Sequence, residues 1–174
     1  MDQWSTQQTR VPFLSEAAFA THFHVMPNYT YQETYSRLEL AKEQIEVAIF
    51  LFLDHRSYAS ALTLAGAAEE VIGCELKRKG KKRTLDWKYE QVSEIHRRIH
   101  GEELPRKKFI AEENHVRDAL KHFDRTDEPE ITCDLQDVSL WMLVRACDNA
   151  RRLDIEIERF EELNNWFYGY VDGI

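Results

Sequence analysis

The sequence predicts an all-α protein: an up-and-down bundle of four to five main helices over 34–174, preceded by an N-terminal extension over 1–33. Three observations carry this. Glycine and proline are scarce, six and four in 174 residues, and long stretches contain neither, which favours helices over many short strands and turns. Apolar residues recur at the 3.6-residue spacing of a helix face in one segment after another. The balance of 43% apolar and 31% charged residues is that of a chain that folds, and its length suits one domain with a sizeable core.

The extension is the least patterned part. Ser15 can cap a short helix over 16–22, and 26–32 (MPNYTYQ) reads as a loop. A helix over about 34–53 follows, with Leu38, Ala41, Ile45, Ala48, Ile49 and Phe52 on one face. The second helix, about 58–79, is capped by Ser57 and ends at Gly80. Its stripe of Leu62, Ala65, Glu69, Ile72 and Leu76 places a carboxylate where an apolar side chain belongs. Its many Ala and Gly residues let a neighbour come close. A buried Glu69 is costly unless paired, so it calls for a cationic partner from elsewhere in the chain. The basic turn KRKGKKR, 77–83, leads to a third helix over about 87–100, and Pro105 opens a fourth over about 106–123. From Asp134 a near-heptad stripe (Leu140, Leu143, Cys147, Ala150, Leu153, Ile157, Phe160) runs without Gly or Pro. It predicts either one helix of about 30 residues or two joined by a kink near 151–154. Trp87, Trp141 and Trp166 read as core anchors rather than base-stacking platforms.

Composition excludes several classes. The longest apolar run, 47–53, is far short of the roughly 20 residues that span a bilayer, so no membrane partner is expected. The opening residues MDQWSTQQTR have neither the basic nor the apolar region of a signal peptide, and Cys74, Cys133 and Cys147 are scattered, with no CxxC. Reduced thiols, a cytoplasmic location, no structural metal and no cofactor are the expectation. Glu112-Glu113-Asn114-His115 holds one Glu-x-x-His, where a di-metal helical bundle needs two. His96 and His100 share a face but have no further ligands nearby. A net charge of −8 argues against indiscriminate nucleic-acid binding, yet 77–108 holds twelve Lys/Arg against five Asp/Glu. That basic middle is compatible with a local anion site.

The densest proton- and anion-handling chemistry lies in 109–123, FIAEENHVRDALKHF. Asp118 and His122 are four residues apart and can meet on one helix face, where a carboxylate orients an imidazole and favours its protonated form. Arg117 adds a permanent planar charge suited to phosphate. On an intact helix Arg117 and His122 stand about 140° apart, so gripping one phosphate requires a helix break or a groove shared with a second chain.

Arg117-Asp118-x-x-x-His122 resembles the R-[N/D/H]-x3-H motif of the HEPN superfamily (higher eukaryotes and prokaryotes nucleotide-binding), and 64–80, LAGAAEEVIGCELKRKG, looks like that family's acid-bearing helix. The resemblance covers about 34–166. It implies a metal-independent endoribonuclease, often a toxin or antiphage effector, with the motif Arg and His lining a cleft in a homodimer. The substrate 2′-hydroxyl then attacks the adjacent phosphate and leaves a 2′,3′-cyclic phosphate. Carried onto this chain, Arg117 stabilises the phosphorane charge, His122 moves a proton, Asp118 orients one of them, and Glu69 holds Arg117. Lys77, Lys79, Lys81, Lys82, Arg83 and Lys121 are the candidate RNA-binding cations. The resemblance equally admits a non-catalytic module, a partner of a nucleotidyltransferase or of a cognate antitoxin.

Overall fold

A computed structural model describes residues 32–123 and 128–172. The chain divides into two compact units, Met1–Thr34 and Tyr35–Ile174. Nearly all of the first, including the helix expected at 16–22, lies outside the described residues. The second unit is all-helical among its described residues: α1 (Arg37–Leu53), α2 (Tyr58–Arg78), α3 (Thr84–His100), α4 (Arg106–Lys121), α5 (Leu135–Arg151) and α6 (Phe160–Asp172). None is long and apolar enough to cross a membrane.

Three helices make the core. α2 packs along both α1 and α5, and α3, α4 and α6 attach around them. The apolar face predicted for α1 is the buried one, Ala41, Ile45, Ala48, Ile49 and Phe52. It meets Leu62, Ala65 and Ile72 of α2 and Leu140, Leu143 and Ala150 of α5. Burying a side chain such as Leu62 or Leu143 contributes about 1.5–3 kcal/mol each, and these residues are fully enclosed. Alanines along α2 thin that helix, so that α1 and α5 both approach it closely. α1 starts at Ser36, whose hydroxyl accepts the Glu39 N–H. Asp134 does the same for Asp137 at the start of α5.

Three boundaries or placements differ from the sequence reading, and a fourth decides between its two alternatives, each for a physical reason. α3 begins at Thr84 rather than 87, because the side chain of Asn149, on α5, accepts both the Thr84 N–H (2.8 Å) and its hydroxyl (2.9 Å). That cap comes from another helix, which local sequence cannot reveal. α4 ends at Lys121, and His122 turns to extended backbone (φ −126°, ψ 130°). The long C-terminal stripe is two helices. α5 stops where Asp154 takes a left-handed conformation (φ 60°) and the Ile155 N–H bonds back to the Ala150 carbonyl. Arg159, also left-handed (φ 59°), opens α6, and its guanidinium is clamped by Asp54 and Glu162. Neither position is glycine, so no breaker shows in the sequence. Finally, Trp166 is partly buried against Phe52, but Trp87 and Trp141 are not core anchors: they are 49% and 42% exposed.

Candidate functional site

The buried charge on α2 sets the first part of the site. Glu69 is 2% exposed, and its carboxylate meets Arg145 of α5 at 3.1 Å. The expectation that Glu69 holds Arg117 is therefore corrected: the cation predicted for it is Arg145. The pairing with Arg117 came from the resemblance, whereas packing brings Arg145 of α5 to Glu69. Arg145 is itself buried, and donates from both terminal nitrogens to Asn114 Oδ1 on α4 (3.2 Å each). Asn149 completes the set with a long 3.5 Å contact to Glu69 Oε1 and the Thr84 cap described above. One network thus ties α2, α4, α5 and the start of α3 together. Its one unsatisfied buried side-chain atom among the described residues is Arg145 Nε. A pair this enclosed is held by compensating hydrogen bonds rather than by charge alone.

Arg117 lies on the same side of α4 but reaches a different end. Its stem crosses Gly66 of α2 so closely that a Cβ there would stand 2.7 Å from Arg117 Cδ and 3.0 Å from Cγ. Gly66 is therefore the groove in α2 through which the arginine passes. The guanidinium then turns back to the carboxylate of its neighbour, with Nε and one terminal nitrogen on Asp118 Oδ1 at 2.9 and 2.8 Å. Successive helix residues point 100° apart, and only a long side chain bent back over the surface closes this gap. The arginine side chain is mostly buried at 14% exposure, while Asp118 is half-exposed.

His122 stands just beyond the helix end, its N–H still bonded to the Asp118 carbonyl at 3.0 Å. It is exposed, and with His115, Asp118 and Ala119 it lines an open groove of about 680 Å³ closed on its far side by Glu128, Glu130 and Ile131. The helix ends at His122, whose backbone turns extended there. Arg117 and His122 do not touch in one chain. What joins them is Asp118, which holds the arginine and faces the histidine groove.

The candidate RNA-binding cations separate into groups. Lys121 lines a second shallow groove with Arg37 and Arg78, across the end of α4 from the histidines. The basic turn lies at the far end of α2, about 18 Å along the helix from Gly66. Most of its charges are engaged locally. Lys79 meets Glu75 (3.7 Å), Lys81 donates to the Arg152 carbonyl (2.6 Å), Lys82 pairs with Glu90 (2.7 Å) and Arg83 with Asp86 (2.9 Å). Lys77 is exposed and without a partner among the described residues. Hydrogen bonds from Arg83 hold the Asp86 carboxyl below its usual range against the opposing effect of burial. Among the described residues no group of His, Cys, Asp and Glu could hold a metal ion.

No protein-family model, curated protein or solved structure matches the chain. The resemblance to HEPN proteins accordingly rests on its own residues.

Proposed function

We propose that this chain is a HEPN-like, metal-independent endoribonuclease acting as a homodimer across the C-terminal end of α4, in the manner of a toxin or antiphage effector. The observation that supports this reading is the end of α4 itself. The helix stops at Lys121, which leaves His122 exposed in extended backbone, in a groove shared with the carboxylate that holds Arg117. In the reaction a ribose 2′-oxygen attacks the adjacent phosphorus and the 5′-oxygen leaves, giving a 2′,3′-cyclic phosphate and a 5′-hydroxyl. His122 takes or gives the proton that moves between these oxygens. Arg117 carries the charge that develops on the phosphoryl oxygens, using the guanidinium edge that Asp118 leaves free. Glu128, Glu130 and Asp118 make the groove of one chain acidic, so a phosphate needs additional cations. A second copy packed across the end of α4 brings another Arg117 and Lys121, which is why the reading includes a dimer.

A second reading is favoured by one observation. Arg117 is largely buried and already paired with Asp118. That arrangement suits a non-catalytic module whose polar helix end docks a nucleotidyltransferase or an antitoxin. The deciding experiment is RNA cleavage by the purified chain in EDTA, with Arg117→Ala and His122→Ala variants. Cleavage that persists in EDTA and is lost in both variants supports the nuclease. A wild type that leaves RNA intact, or variants that cut as well as wild type, supports the module.

A further inference from the structure

A cleft of about 780 Å³ opens between α3, α5 and α6, on residues that the α4 site does not use. Its size is that of a small-molecule site. Its walls have two chemistries. Trp87, Trp141, Phe167 and Tyr168 supply aromatic surface, and Lys88, Arg145, Arg151 and Arg152 supply charge, against the single lining carboxylate Asp148. Glu113 and Glu69 balance Lys88 and Arg145, so the positive excess lies at Arg151 and Arg152, which share Asp148 in a protein of net charge −8.

The aromatic surface is unusually exposed and unusually fixed. Trp141 is held upright by its own helix: its indole N–H donates to Asp137 at 3.1 Å, and its ring meets Phe167 edge-on at 5.4 Å between centroids. Phe167 in turn meets Tyr168 edge-on at 5.5 Å. Lys88 Nζ sits 5.7 Å from the Trp141 ring centre and is fixed there by the Glu113 carboxylate at 2.7 Å. Large aromatic surface left open to water has a cost, and Trp87 and Trp141 stay about half exposed even with Lys88 over the Trp141 ring. The cations sit at the end of α5, where Arg151 and Arg152 share Asp148, at 2.7 and 2.8 Å. One carboxylate between two guanidiniums leaves positive charge in excess. Arg145, at the floor, is enclosed and balanced by Glu69, so the excess belongs to the Arg151–Arg152 pair.

We propose that this cleft is a second ligand site, which takes a nucleotide: the base lies against Trp87 and Trp141, and the phosphate lies against Arg151 and Arg152. Stacking uses the π-face that every base has, and the guanidinium pair matches a phosphate. A purely apolar ligand would leave the cations unused, and a simple inorganic anion would leave the aromatic wall wet. The nucleotide can come free or as part of a single strand, since both present the same base and phosphate.

The test titrates the full chain with AMP, with adenosine, and with a short single-stranded oligodeoxynucleotide, which has no 2′-hydroxyl to be cut. Intrinsic tryptophan fluorescence and calorimetry are read. AMP is expected to quench fluorescence and to bind at least tenfold more tightly than adenosine. Trp87→Leu is expected to weaken AMP about tenfold or more. Arg152→Gln is expected to bring AMP down to the level of adenosine. Both changes are at the cleft surface, and unchanged melting temperatures establish that the variants fold. AMP binding without oligonucleotide binding identifies a free-nucleotide site, and binding of both identifies a strand site. No response to AMP or to the oligonucleotide at millimolar concentration overturns the proposal, as does adenosine binding as well as AMP. A cleft blind to nucleotide whose Trp87→Leu variant changes the oligomeric state is a face between copies, and also overturns it. His122→Ala is expected to leave AMP binding unchanged, so this proposal and the nuclease reading fail separately.

Discussion

Two arginine–carboxylate pairs meet α4, one between its neighbours α2 and α5 and one on α4 itself, and they could hardly be more different. Arg145 and Glu69 are enclosed, with Asn114 and Asn149 taking up much of their remaining hydrogen-bonding capacity. Arg117 and Asp118 sit at the rim, the arginine stem buried but the carboxylate open to the His122 groove. The enclosed pair has no room for a substrate and no route to water. The rim pair has both. Proximity of charges in sequence therefore says little about function, and what separates a structural pair from a reactive one is access. The enclosed network fixes where α2, α4 and α5 sit. The rim pair exploits the position so fixed.

The largest effect that tests this contrast comes from removing one member of the enclosed pair. Glu69→Ala leaves Arg145 charged and buried without its carboxylate, and is expected to cost about 3–5 kcal/mol, a large part of a typical domain's stability. Denaturant unfolding measures it. Replacing both partners with apolar residues, Glu69→Met with Arg145→Met, is expected to recover most of that loss, because no orphan charge remains. If the double variant is as unstable as the single one, the network acts through specific hydrogen bonds and not through burial of a paired charge.

At the rim the expectations reverse, with activity lost and stability kept. His122 is exposed and beyond the helix, so His122→Ala is expected to leave the melting temperature within error. It is also expected to lower RNA cleavage about 10²- to 10⁴-fold, the usual contribution of a positioned acid–base group. Gly66→Ala is subtler. The added methyl forces the Arg117 stem to move, since 2.7 Å is no contact a carbon can hold, yet alanine favours the helix by roughly 0.5–1 kcal/mol over glycine. Stability is expected to stay level or rise slightly while cleavage falls several-fold. A loss of stability with full activity would show that Arg117 has another way to its site.

The parts of this molecule that were legible in the sequence are those set by local periodicity. The stripes of α1 and α2 gave their buried faces, and the intrusion of Glu69 into the α2 stripe announced a buried pair. The identity of its partner was not legible, because Arg145 and Arg117 are equally arginines on later helices and only packing chooses between them. The choice between one long C-terminal helix and two joined near 151–154 was not legible, because Asp154 and Arg159 adopt left-handed backbone without being glycine, and Arg159 is held by its clamp to Asp54. The exposure of Trp87 and Trp141 was hidden for the opposite reason. Their type suggests burial, and only the arrangement of α3, α5 and α6 leaves them facing a cleft.

The smallest expected effect separates the two regions by pH. Asp148 joins α3 to α5 beside the enclosed network. Burial works against its charge, but hydrogen bonds from Arg151, Thr84 and Arg152 outweigh that and hold its carboxyl below the ordinary range. A carboxyl with a lowered folded-state pKa stabilises the fold at pH above its unfolded value of about 3.9, and that stabilisation disappears as pH falls through the lower folded value. Asp86, depressed by Arg83 on the same side of the bundle, adds in the same direction. Mild acid should therefore loosen the α3–α5 seam, and Asp148→Asn should remove part of that acid dependence. The expected difference between wild type and variant is a melting-temperature change of about 2–4 °C across pH 5 to 3. If the two proteins lose stability in parallel over this range, the seam is held by the Asn149–Thr84 cap, which does not titrate, and Asp148 serves the cleft cations instead.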